Sequence, residues 1–70
     1  MEVLVFATSV AKPREVSRIK ALLTAVPSIN HWNFDLEDCD NILRVEADDL
    51  SPRYIEKLLL TAGFECRELE

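Results

Sequence analysis

Thr8, Ser9, Lys12 and Arg14 put two hydroxyls and two cations within seven residues, where an apolar run gives way to a helical pattern. Hydroxyls and cations ahead of a helix N-terminus can hold a small anion, because the first helical N–H groups are unpaired and the dipole favours negative charge there. These four residues are candidate anion contacts; with no glycine-rich cradle beside them, a plain connecting loop is the competing reading. The remaining groups with chemistry to offer are the thiols of Cys39 and Cys66 and the imidazole of His31. The carboxylates gather as Glu37, Asp38 and Asp40 and again as Asp48 and Asp49, at turns on opposite ends of one strand, so no pair converges for acid–base work. The Asp38-x-Asp40 spacing lacks the glycine and distal glutamate of a calcium loop. One histidine and no nucleophile-elbow motif leave a serine triad unsupported. No enzyme, no catalytic residue and no cofactor are expected.

The elements that would carry these groups alternate clearly. Glu2 to Thr8 reads as a strand, with Val3, Val5 and Ala7 on one side and Leu4 and Phe6 on the other. Pro13 to Val26 reads as a helix with Val16, Ile19, Leu22, Leu23 and Val26 in one stripe, opened by Pro13 and closed by Pro27. Ile29 to Leu36 alternates Trp32, Phe34 and Leu36 with His31, Asn33 and Asp35, and Ile42 to Ala47 follows a turn. Ser51 and Pro52 open a second helix, Gly63 suits the left-handed residue after it, and Phe64 to Leu69 reads as a last strand.

Strand, helix, strand, strand, helix, strand is the ferredoxin-like βαββαβ order, an α+β sandwich. Right-handed crossovers put both helices on one face of a four-stranded antiparallel sheet, in the order 4-1-3-2. The helices are expected to cover Val3, Val5, Trp32, Phe34, Leu43, Val45 and Phe64. Leu4, Phe6 and Ile42 are then expected on the open face, ringed by Arg44, Glu46, His31, Asn33 and Arg67, as a candidate interface. The topology brings three loops to one end. Cys39 and Cys66 lie there on opposite edge strands, about 14 Å apart by interstrand spacing and beyond the ~7 Å reach of a disulfide. His31 is roughly 26 Å of extended strand from Cys39.

Seventy residues with 49% hydrophobic content make one domain, residues 1–70. A net charge of −5 disfavours nucleic acid. No apolar run approaches the ~20 residues of a membrane span, and no signal peptide is apparent. Two cysteines without a secretory signal point to reduced thiols in the cytoplasm.

At this level the chain resembles a heavy-metal-associated domain along nearly its whole length. Val16-Ser17-Arg18-Ile19 with Leu22-Leu23 looks like that family's first helix, Val26-Pro27-Ser28-Ile29 like its Leu-Pro-Gly-Val turn, and Thr61-Ala62-Gly63-Phe64 like its Ala-Gly-Tyr turn. The resemblance implies a Met-x-Cys-x-x-Cys metal loop at the first strand–helix junction. Its Met position falls on Val10 and its cysteines on Lys12 and Glu15. Soft Cu(I) wants thiolates; a cation and a hard oxygen do not supply them, so the family's metal residues do not carry over. Val10 is expected to keep a structural role as a core plug. The leading expectation is a non-enzymatic interaction module, self-associating or binding a protein, with thiolate metal binding lost. Two alternatives remain open: metal handling through Cys39 contributed by two chains, and anion sensing through the Lys12 and Arg14 loop.

Overall fold

The computed structural model describes residues 2–37 and 39–69. Its elements run β1 (Glu2–Thr8), α1 (Pro13–Thr24), β2 (Ile29–Asp35), β3 (Ile42–Ala47), α2 (Pro52–Thr61) and β4 (Cys66–Glu68). The sheet order is β2-β3-β1-β4, the expected order read from the other edge, and the three adjacent strand pairs are antiparallel.

Each helix begins and ends for local reasons. Pro13 and Pro52 occupy first-turn positions, where a missing N–H costs nothing. The Ser51 hydroxyl accepts from the Arg53 N–H at 3.3 Å. At the far end of α2, the Gly63 N–H donates to Leu60 C=O at 3.0 Å and the Phe64 N–H to Leu59 C=O at 2.9 Å. That reversal needs a left-handed residue, and Gly63 has φ +96°. α1 ends at Thr24, two residues before the expected Val26, as the chain turns toward Pro27.

The core lies between sheet and helices. Phe6, Val10, Ile19, Leu43, Val45, Ile55 and Leu59 are fully buried, with Leu23 and Phe64 beside them. Trp32 and Phe34 pack against it from edge strand β2, their rings edge-to-face at 6.0 Å.

The facing of β1 is the reverse of the expected one. Leu4 and Phe6 pair with Val45 and Leu43 and are buried in the core. Val3, Val5 and Ala7 pair with Glu46, Arg44 and Ile42 on the open face, where Val3 is 56% exposed. Five apolar residues in succession carry no alternation, so the sequence pattern leaves the facing undetermined. Size decides it: turning Leu and Phe inward removes more apolar area from water than turning in two valines. Leu4 and Phe6 are therefore core residues and no part of an interface. Ile42 does lie on the open face, half-buried, beside Ala7. β4 is shorter than expected, since Phe64 leaves the strand to pack in the core.

Candidate functional site

The loop between β1 and α1 is built into its two neighbours. The Thr8 N–H donates to Asp40 C=O at 3.0 Å, and its hydroxyl donates to Asn41 C=O at 2.7 Å while accepting from the Val10 N–H at 3.2 Å. Ser9 donates its N–H to Glu65 C=O at 3.1 Å, and its hydroxyl oxygen accepts from the Glu65 N–H at 2.8 Å. Thr8 thus ties the loop to the β2–β3 turn, and Ser9 ties it to the segment after α2. Val10 fills the core beneath, fully buried, as expected of a plug.

The start of α1 is satisfied from within. Lys12 is the N-cap, and its ammonium offers only donors, so it accepts nothing from the helix. One oxygen of the Glu15 carboxylate reaches back and accepts from the Ala11 N–H and the Lys12 N–H, each at 3.0 Å. This is the acid half of a capping box. The carboxyl is held below its ordinary value, first by the Ala11 hydrogen bond and also by the Lys12 hydrogen bond and the Lys12 and Arg14 charges, against some desolvation.

The geometry redistributes the residues singled out from sequence. Thr8 and Ser9 spend their hydrogen bonds joining loops, while Lys12 and Arg14 are exposed. The Ala11 and Lys12 N–H groups, just ahead of α1, already hold Glu15. Cys39 is exposed in its turn and Cys66 is half-buried on β4, both as free thiols. Burial, with help from Glu56, pushes the Cys66 thiol up to about 12, so it stays neutral and ligates poorly. The β2–β3 turn leans onto β1 through the Thr8–Asp40 bond, and Thr8 pairs with Cys66. His31 lies across from Glu46 on the open face. Among the described residues, no three His, Cys, Asp or Glu side chains gather as a metal site. Asp38 lies outside the described residues.

Two features escape the sequence reading. The capping role of Glu15 had a signal in plain view: an acid at the third helical position, two residues after a first-turn proline. A groove between the helices, lined by Arg18, Leu22, Tyr54 and Lys57 among others, had none, because it depends on how far apart the helices lie.

This arrangement is the fold of heavy-metal-associated domains, without their Cys-x-x-Cys pair at the first strand–helix junction. The chain superposes on the yeast copper transporter domain Ccc2A, solved in apo and Cu(I)-loaded states, with a TM-score of 0.86 and 18% identity, covering 100% of this chain and 97% of that one. It also superposes on the N-terminal domain of ZntA in its Zn(II) form, with a TM-score of 0.82 and 16% identity, covering 97% and 92% of the two chains. No family model and no curated protein matches the sequence. Among the described residues, no helix is long and apolar enough to cross a membrane.

Proposed function

We propose that this chain, residues 1–70 as one domain, is a small non-enzymatic interaction module on a metal-carrier fold that has given up thiolate metal binding. One observation carries the reading. At the position the resemblance gives to the second cysteine, the Glu15 carboxylate accepts the Ala11 and Lys12 N–H groups. A thiolate there would be stabilised by that helix start; here a carboxylate that cannot bind Cu(I) as a soft ligand fills the role. The contact surface is the open sheet face, with Val3, Val5 and Ile42 at its centre and Arg44, Glu46 and His31 beside them. Its occupant is a protein or a second copy of the chain. Net charge of −5 argues against nucleic acid. Free thiols fit the reducing cytoplasm.

Native mass spectrometry of the reduced protein, with and without Cu(I) and Zn(II), tests this. The expected result is an unchanged apo mass. Uptake of one metal per chain would overturn the reading. A second arm follows self-association by sedimentation; an oligomer that weakens in Val5→Asp supports the open face. The exposed position of Cys39 favours one other reading, metal held between two chains. It requires a species of two chains and one metal that Cys39→Ser abolishes.

A further inference from the structure

Charge is divided unevenly over this molecule. The two helices hold Arg14, Arg18, Lys20, Arg53 and Lys57 against Glu15 and Glu56, a net +3. The whole chain is −5, which leaves −8 for strands, turns and ends. The helix layer is thus a basic face on an acidic protein.

A groove of about 650 Å³ runs along this face between α1 and α2. Its apolar part is made by Leu22, Leu58 and Ala62. Its polar part is Arg18, Tyr54, Lys57 and Thr61, and among the described residues no carboxylate lines it. Each of these polar side chains has a hydrogen to donate, and two are cations. Arg18 is held in place: its guanidinium carbon lies 5.6 Å from the Phe64 ring centroid and its Nη2 donates to Ala62 C=O at 3.4 Å. That leaves its other N–H groups for a guest. The volume falls within the range of small-ligand pockets, and an apolar body with a few convergent polar groups is their usual make-up.

We propose that this groove binds a small amphipathic organic anion, an aliphatic or aryl monocarboxylate whose apolar body lies on Leu22, Leu58 and Ala62 while its head is taken by Lys57 and Arg18. Charge complementarity selects this occupant, since two cations with no carboxylate beside them among the described residues favour an anionic head and the apolar floor favours a hydrocarbon body. The site does not involve the β1–α1 loop, so it stands or falls apart from the metal question.

Two-dimensional amide NMR of the intact protein tests the proposal with three probes: 2-naphthoate, 2-naphthalenemethanol and acetate. The expected result is saturable binding of naphthoate that shifts the amides of Leu22, Leu58 and Ala62. The alcohol and acetate should bind at least about tenfold more weakly, as each lacks one half of the recognition. Lys57→Gln, an exposed helical position, should weaken naphthoate severalfold without altering the remaining spectrum. Thr61→Trp, which fills the groove from its rim, should abolish binding. Equal affinity for the alcohol, binding that survives Thr61→Trp, or no saturable shift would overturn the proposal. So would an acidic amphipathic peptide that shifts the same amides while naphthoate does not, because the groove would then belong to a macromolecular partner.

Discussion

The two helices start alike and are capped differently. Both carry a proline in the first turn. At α2 the cap is Ser51, whose hydroxyl accepts from Arg53 two residues on, the ordinary solution of a short polar side chain. At α1 the cap residue is Lys12, whose ammonium cannot accept, and Glu15 reaches back from the third helical position to accept the N–H groups of Ala11 and of Lys12 itself. The neutral contact holds a helical N–H and the charged one holds two N–H groups just ahead of the helix, and only the charged one depends on pH. It also sits where the metal loop of the resembled family has a cysteine. The β1–α1 loop is therefore a helix start completed by its own carboxylate.

The largest effect should come from restoring the thiols. Lys12→Cys combined with Glu15→Cys is expected to take the chain from no Cu(I) uptake to one ion per chain, measured by competition with a chromogenic Cu(I) chelator. Val10 still plugs the core beneath and the helix N-terminus still favours thiolate. Failure to gain metal would show that more than the ligand pair has changed in this loop.

Thiol reactivity is next. In the native protein Cys39 should react with a disulfide reagent at least roughly tenfold faster than Cys66, which is half-buried and holds its proton up to about 12. Comparable rates would mean that the β4 edge opens readily.

The smallest effects separate the two caps. Ser51→Ala should cost about 1 kcal/mol, with the same loss at pH 7 and pH 3, read by chemical denaturation. Glu15→Ala should lower stability at pH 7 and cost progressively less in acid. The sign follows from the lowered Glu15 carboxyl. Its contribution is fully present above the ordinary value of 4.5 and is lost as pH falls through the lower folded value. Glu15→Gln keeps an acceptor oxygen and should lie between wild type and Glu15→Ala at neutral pH.

Much of this architecture is legible in the chain. Pro13, Ser51-Pro52 and Gly63 mark helix ends through backbone rules that act locally. The alternation from His31 to Leu36 fixes the facing of β2, because only one of its faces is apolar. Where both faces are apolar, as from Val3 to Ala7, alternation does not choose the facing. The greater size of Leu4 and Phe6 does, and it is why they are core although they read as surface. The site divides in the same way. That Lys12 and Glu15 stand in the thiol positions is read by counting from Val26-Pro27. That Glu15 folds back onto Ala11 and Lys12 requires a side-chain path, although its position at the third helical residue hints at it. The inter-helix groove is a tertiary distance and has no sequence signature.

The role of Glu15 at the start of α1 is tested most directly by a carbon-detected NMR titration of its carboxylate, followed together with the amides of Ala11 and Lys12. Glu15 is expected to titrate below 4.5, with both amides shifting along the same curve as their shared acceptor is protonated. A Glu15 that titrates at its ordinary value, with the two amides indifferent to it, would contradict the claim that this carboxylate has taken over the helix start.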